Sequence, residues 1–318
     1  MQQPMLAIII VSWNVRDLLE RCITTVHASL AGSGIAYRIT VVDNASTDGT
    51  FAMLRTRHPN VEVIDAGRNL GFAGGNNLAL RRVLSRNGSR VRHVLLLNPD
   101  TEVIGDAIPT LVRYLEEHPD VVVVGPRLRY SDGTVQSSRR RFPTPGVLFW
   151  ESTPLEWRWL NNPWVRRYRC MDTPDDQEQT VDWLVGAALL VRRSAIDRVG
   201  LLDAGFVMYS EELEWQQRLH ACGRIVYLPA AEIMHHEGKS STQVPTWRLM
   251  TFHRSRLRYA RMRYGDHLAT GLYIFLMAVY GAELFVEAGK WLLGHRRDLR
   301  RQRIGGYVAF LRGLGLRD

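Results

Sequence analysis

The chain has 318 residues, 46% of them hydrophobic, enough to bury one large core or two smaller ones, which excludes the disordered and fibrous classes. Its three cysteines, Cys22, Cys170 and Cys222, share no metal-ligand spacing, and their odd number excludes a disulfide framework and fits a reducing, cytoplasmic setting. The formal net charge of +9 asks for an anionic partner, yet no nucleic-acid recognition motif accompanies it, so no nucleic-acid partner is expected.

The first apolar run, Leu6 to Val11, has no basic segment before it and reads as a core strand rather than a signal sequence. Further strands are expected at Ile39–Val42, Val61–Ile64, Val94–Leu97 and Val121–Val124. Helical patterns lie between them at Val15–Ser29, Thr50–His58, Asn76–Arg86 and Ala107–His118. Such alternation implies a parallel sheet covered on both faces. From about Arg127 to Glu178 the pattern breaks into segments rich in Pro, Trp and Arg, loops of the kind that recognise an acceptor. Order resumes at Val181–Arg192, followed by a helix over Glu211–Cys222 and a strand around Ile225–Leu228.

The tail is the basic part. Arg254, Arg256, Arg258, Arg261 and Arg263 precede an apolar stretch, Leu268 to Ala282, and Arg296, Arg297, Arg300, Arg301 and Arg303 follow it. That stretch falls short of the roughly 20 apolar residues a spanning helix needs. Glu283, Glu287 and Lys290 then recur at helical spacing, which predicts an amphipathic helix with one wet face. Such a helix suits either an anionic membrane surface or packing on protein, its own domain or a second subunit of a homo-oligomer.

Three segments carry chemistry. Val94-Leu95-Leu96-Leu97 runs into Asn98-Pro99-Asp100, which places a carboxylate at the carboxyl end of a strand, where open α/β sheets bind ligands and where a divalent cation can sit beside a phosphate. Asp43 ends a second strand and opens Asp43-Asn44-Ala45-Ser46-Thr47-Asp48-Gly49-Thr50, in which Ser46 or Asp48 serves as a helix cap while Asp43 is free to bond a base or ribose. The glycine-rich segment from Arg68 to Asn77 enters a helix and permits close backbone approach, although it is neither a GxGxxG nor a Walker A loop. Gly238-Lys239-Ser240 looks like the end of a Walker A motif, but Ile233 stands where its first glycine belongs. A late acidic cluster, Glu211-Glu212-Leu213-Glu214, is placed either for acid–base work or simply as the acidic first turn of a helix.

Taken in order, these blocks resemble the inverting family 2 glycosyltransferases of GT-A fold, and in particular their rhamnosyltransferase-like branch. The matching segments are Val42–Thr50, Asn69–Phe72, Leu97–Asp100, Trp183–Ala187, Phe206–Glu212, Arg218 and His235–Ser240. The resemblance implies a GT-A mixed sheet flanked by helices over residues 1–245, with a donor half to about 126 and an acceptor half beyond it. A basic amphipathic helical extension would then occupy 246–318.

The resemblance further implies a nucleoside-diphosphate sugar as donor, dTDP-rhamnose being the expected one, and a cell-surface glycan or lipid-linked acceptor. On the donor side stand Ser12, Asn14, Asp43, Asn69, Gly71, Asn76, Asn98 and Asp100, and on the acceptor side Trp183, Gly186 and Glu211. Asp100 and His235 would hold Mg²⁺ or Mn²⁺, with His236 the alternative if the register slips by one. Glu212 would be the general base. Two departures stand out. Asn98 is a neutral amide where many relatives carry a carboxylate, which weakens a cation site, and Glu212 is one methylene longer than the more usual Asp. Two other readings are a non-catalytic partner of the same fold and a nucleotidyltransferase. The latter lacks its basic glycine-rich loop, since Val11-Ser12-Trp13-Asn14 occupies that place.

Overall fold

The computed structural model describes residues 5–85, 91–159, 162–206, 208–236 and 245–315. The first half alternates as the sequence predicts: β1 (Leu6–Ser12), α1 (Arg16–Leu30), β2 (Tyr37–Asp43), α2 (Thr50–Arg57), β3 (Glu62–Asp65), α3 (Gly71–Leu84) and β4 (His93–Leu97). It continues through β5 (Thr101–Ile104), α4 (Ala107–Glu117), β6 (Val121–Arg129) and two short strands, β7 (Val135–Gln136) and β8 (Arg139–Arg140). Two short helices follow, α5 (Pro145–Trp150) and α6 (Pro163–Tyr168). Then come β9 (Gln179–Val181), β10 (Trp183–Leu184), β11 (Ala188–Arg192), α7 (Arg193–Val199), α8 (Glu211–His220) and β12 (Arg224–His235). Three helices close the chain: α9 (Pro245–Tyr264), α10 (Asp266–Leu292) and α11 (Arg297–Gly313).

The chain divides into two compact units. The first comprises the described residues of Met1–Phe142, Thr173–Val207 and Glu211–Ser240. Its main sheet has ten strands among the described residues, in the order β3-β2-β1-β4-β11-β6-β12-β5, with β7 on β6 and β9 on β12. The first four strands in that order run parallel; β11 is antiparallel to β4 and β6, and β5 is antiparallel to β12, so the sheet is mixed. The central strand β1 is buried along Leu6–Ile10, which is why it reads as an unbroken apolar run instead of an alternating one. Ile8, Ile10, Leu19, Ile23, Val41 and Leu95 belong to one continuous core between sheet and helices. Each such fully buried aliphatic side chain contributes about 1.5–3 kcal/mol relative to exposure.

Where the glycine-rich loop is expected, α3 has already begun at Gly71. A Cβ on Gly75 would lie 2.6 Å from Val11 Cγ1, so this glycine lets the helix press against β1 and does not cradle an anion. Only Gly71, at φ +69°, keeps the left-handed turn.

The second unit gathers Pro143–Asp172, Met208–Ser210 and the helices from Pro245 onward, so a stretch read from sequence as part of the acceptor half packs with the tail. The reason lies in polar ties: Arg256 on α9 is buried and donates to Val147 O and Glu151 O, and Tyr264 donates to Pro143 O. Thr144 and Asn162 cap α5 and α6, each with proline in the first turn. The apolar tail stretch is also longer than counted. It forms a 27-residue helix that is long and apolar enough to cross a membrane by length and composition, and only 22% of its most apolar window is buried. Glu287, expected on a wet face, is buried and bonded by both carboxylate oxygens to Arg300 of α11, which lets the helix run on past it.

Candidate active site

Of the sequence-predicted residues, Ser12, Asn14, Asp43, Asn98 and Asp100 stand at or just after the carboxyl ends of β1, β2 and β4, and the others come from α3 or just before it, β10 and its following turn, α8 and β12, all within the first unit. Ser12 and Asp43, the last residues of their strands, stand directly opposite each other in the β1–β2 register. Both are buried, and Ser12 Oγ takes no hydrogen bond among the described residues. Asp43 Oδ1 accepts from the Ser46 amide, 3.0 Å. Asn14, at φ +52°, interlocks the next turn: its amide donates to Ser46 Oγ and its Oδ1 accepts from the Thr47 amide at 2.7 Å. The N-cap of α2 is Gly49, not Ser46 or Asp48, and Asp48 Oδ1 accepts from the Thr50 amide and hydroxyl just ahead of the helix. A cavity of about 370 Å³ beside this loop, lined by Asn14, Val15, Arg16, Asp17, Leu18 and Asp48, shares only Asn14 with the predicted set and therefore flanks the site.

Asn44 ties this end to the start of α3 by donating from Nδ2 to Gly71 O. Asn69 Oδ1 accepts from the Gly71 amide, 2.9 Å, and fixes the left-handed turn. Asn76 is buried, and its Nδ2 donates to Phe72 O one turn back, so that group supports the helix's first turn. Phe72 itself reaches forward to Gly186: a Cβ there would lie 3.6 Å from Phe72 Cζ and 3.3 Å from Glu212 Cγ. The glycine is thus the floor on which the Glu212 side chain rests.

Glu212 occupies the first turn of α8. Its Oε2 is out of contact with solvent and accepts no hydrogen bond among the described residues. Burial pushes its carboxyl above the ordinary range, against the pull of the Glu212 and Leu213 amides and of the Arg140 charge. The neighbouring Glu211 is buried. One turn on, Gln216 braces the helix by a two-way bond, Oε1 accepting from the Leu184 amide and Nε2 donating to Leu184 O. Trp183 is buried, with Nε1 donating to Arg141 O. Arg139, within the Arg127–Glu178 stretch read as acceptor-recognising loops, is buried against Tyr227 and donates to Pro174 O and Gln179 Oε1.

The third part is the Asn98-Pro99-Asp100 turn. The Asn98 amide donates to Ala187 O, next to Gly186, which joins this turn to the Glu212 floor. His235, at the end of β12, brings Nε2 to 3.4 Å from Asp100 Oδ1 and 3.5 Å from Asn98 Nδ2. Its Nδ1 lies 2.9 Å from Gln136 Oε1, which holds the proton on Nδ1 and turns the Nε2 lone pair toward Asp100. His236 points elsewhere, to Ser131 Oγ and Glu102 Oε1. The Gly238-Lys239-Ser240 segment and Val207 lie outside the described residues. Beneath the turn, the buried Cys22 thiol lies 3.5 Å from Thr101 Oγ1 and 3.6 Å from Asn98 O, and burial pushes its pKa up to about 12.

The donor set fits a hard divalent cation with part of its shell supplied by a ligand. No group of three His, Cys, Asp or Glu side chains able to hold a metal occurs among the described residues. Asp100 and His235 would supply two ligands, with Asn98 beside them. At 3.4 Å, Asp100 Oδ1 and His235 Nε2 are close enough that both could hold one divalent cation. Sequence reasoning missed Gln136 and Gln216. Their only local signals are a polar residue in a two-residue strand and a Gln four positions after Glu212.

A mixed sheet whose parallel half ends in buried polar residues and an Asp–His pair is the architecture of a GT-A glycosyltransferase. The solved mannosyltransferase PcManGT from Pyrobaculum calidifontis, in complex with GDP-Man and Mn²⁺, superposes with a TM-score of 0.54 over 98% of this chain and 88% of that one, at 15% identity. The family model for glycosyl transferase family 2 matches residues 7–200, and the chain belongs to that family. Among its relatives, the N-acetylglucosaminyl-diphospho-decaprenol L-rhamnosyltransferase of Mycobacterium tuberculosis is 33% identical over 225 residues, covering 68% of this chain and 72% of the relative. The rhamnosyltransferase WbbL of Escherichia coli is 27% identical over 245 residues, covering 73% and 83%.

Proposed function

We propose that the chain transfers a deoxyhexose, rhamnose, from a deoxythymidine-diphosphate donor to a hydroxyl of a lipid-linked glycan, with inversion at the anomeric carbon. The observation that carries this reading is the single connected path from Asp100 and His235, through Asn98 and Ala187, to Gly186 and Glu212. Ser12, Asn14, Asp43 and Asn69 hold the nucleoside and first phosphate. Asp100 and His235, with Asn98, hold Mg²⁺ or Mn²⁺, which when bound offsets the charge of the diphosphate. Glu212 takes the proton of the acceptor hydroxyl as its oxygen bonds to the anomeric carbon. The bond from that carbon to the phosphate oxygen breaks, and the diphosphate leaves with the electron pair. One displacement inverts the centre and needs no enzyme nucleophile.

The relative's diphospho-decaprenol acceptor gives the acceptor class its support. A cytoplasmic enzyme working on such a lipid meets it at the inner face of the cell membrane, through its basic helical tail.

The test is release of nucleoside diphosphate from dTDP-rhamnose, GDP-sugars and UDP-sugars, with and without a diphospholipid-linked N-acetylglucosamine, in Mg²⁺, Mn²⁺ or EDTA. Cation-dependent release from dTDP-rhamnose supports the reading, and release from another donor reassigns the sugar. Silence with every donor, together with no donor-induced rise in melting temperature, would make the chain a non-catalytic partner of the same fold.

A further inference from the structure

We propose that the second unit is a surface anchor for anionic lipid, in which one face of α10 and the turn into α11 enter the headgroup region without crossing the bilayer. The helix has two apolar faces. Ala269, Leu272, Leu276 and Tyr280 are buried inward. On the opposite side Ile274, Ala278, Ala282, Phe285 and Leu292 recur at helical spacing and are exposed, with Phe285 80% exposed and Leu293 87%. From Ile274 to Leu292 that stripe spans about 27 Å, too large an apolar face for an ordinary wet surface.

What surrounds the stripe selects its partner. Arg296, Arg297 and Arg301 are exposed where the helix turns into α11, and none makes an ion pair among the described residues. Trp291, the type of residue that sits at a membrane interface, stacks under Arg297 at 5.8 Å. The half-exposed Trp159 and Trp164 belong to a three-tryptophan cluster with Trp150, ring centroids 5.6–6.2 Å apart. That cluster is tied to the same helix by Arg158–Glu283, 2.7 Å, and by Phe149 against Phe275. Apolar side chains flanked at one end by arginines without a carboxylate partner among the described residues complement acyl chains beneath phosphate headgroups. A two-fold contact between copies would set arginine against arginine, and nucleic acid leaves Phe285, Leu292 and Leu293 in water.

Lying on the surface fits better than crossing. α10 carries Glu283 and Glu287 in its second half, and Arg300 clamps α11 back along it. Crossing would draw those pairs and the arginines of α11 into hydrocarbon. The inference rests on the proposed lipid-linked acceptor only for its purpose; the surface itself stands without it.

The full chain is floated with vesicles of phosphatidylcholine alone or with about 30% phosphatidylglycerol, at low and high salt. Binding is expected to anionic vesicles only, and to weaken with salt. F285S/L292S/L293S is expected to lower binding at least about tenfold, and R296E/R297E/R301E on the order of 100-fold. All these residues are exposed, and an unchanged far-ultraviolet circular dichroism spectrum and cooperative melting of each variant show that the fold is kept. Equal binding by wild type and both variants would overturn the proposal. So would no vesicle binding, whether the wild type stays monomeric or forms a dimer that the serine variant dissolves. Resistance of cell-membrane-bound protein to carbonate extraction would overturn the surface mode. Failure of donor turnover leaves the vesicle result untouched, so the two readings fail separately.

Discussion

Gln136 Oε1 and His235 Nδ1, 2.9 Å apart and both buried, come from residues 99 positions apart in the chain. The bond decides which imidazole nitrogen faces Asp100. Gln136→Leu is therefore expected to weaken Mn²⁺ binding, titrated calorimetrically with nucleoside diphosphate present, by about 10- to 100-fold. Gln136→Asn, with a shorter arm, recovers part of it if the amide's role is to orient the ring. Unchanged affinity in the leucine variant would reduce Gln136 to packing.

Gly186→Ala tests the floor under the base. The new methyl meets Glu212 Cγ at 3.3 Å, and displacement of a reacting group by a fraction of an ångström up to one costs up to about 100-fold in rate. The expected result is a fall in kcat of about 10- to 100-fold with donor Kd little changed. Equal loss of donor affinity would show that the glycine serves the nucleotide side.

Glu212→Gln should lower kcat by about 10²- to 10⁴-fold and leave donor binding nearly intact. It should also stabilise the protein. Burial raises this carboxyl, so the folded state holds its proton more tightly than the unfolded state does. Stability of the wild type then falls as pH rises above the unfolded carboxylate range, and the fall ends once pH passes the raised folded value. The variant lacks that slope. Its melting temperature should match the wild type in acid and exceed it at neutral pH, while wild-type kcat climbs over the same window. A variant less stable at neutral pH would show that the carboxylate is paired in solution.

Asp100→Ala is expected to abolish the difference in donor affinity between Mn²⁺ and EDTA. A difference of unchanged size, read from donor-induced melting shifts, would place the cation elsewhere.

In the helical unit, Glu287→Ala should cost about 3 kcal/mol by leaving Arg300 buried without its carboxylate. Burial acts to raise the Glu287 carboxyl, but the hydrogen bond and charge of Arg300, with Lys290 and Arg303, hold it below the ordinary range. Its contribution is present above the unfolded carboxylate value and is lost as pH falls through the folded one. Faster amide exchange in α10 and α11, confined to the variant at neutral pH, is the measurement.

The sequence was legible where local pattern and burial agree. β1, β2 and β4 are apolar runs buried on both faces, and α4 carries an apolar stripe, so their periods name them. β5 escaped because four residues with alternating burial, straight after Asn98-Pro99-Asp100, look like the continuation of a turn. β12 was read only as Ile225–Leu228, since register shifts after Arg224 and between Leu228 and Glu232 break its alternation before it reaches His235. The antiparallel entry of β11 between β4 and β6 has no local signature, because pairing is decided across more than 60 residues. Gln136 and Gln216 were invisible for the same reason, their partners being distant in sequence.

Cys22 lies beneath the Asn98–Thr101 turn with its thiol held neutral. A neutral, enclosed sulfur does not attack alkylating or disulfide reagents, so the folded protein should resist them at this position while the half-exposed Cys222 reacts. The rate at which Cys22 does become labelled is then set by how often the sheet opens beneath that turn. The chain carries a native clock for local unfolding at the place where its proposed chemistry demands the most rigidity.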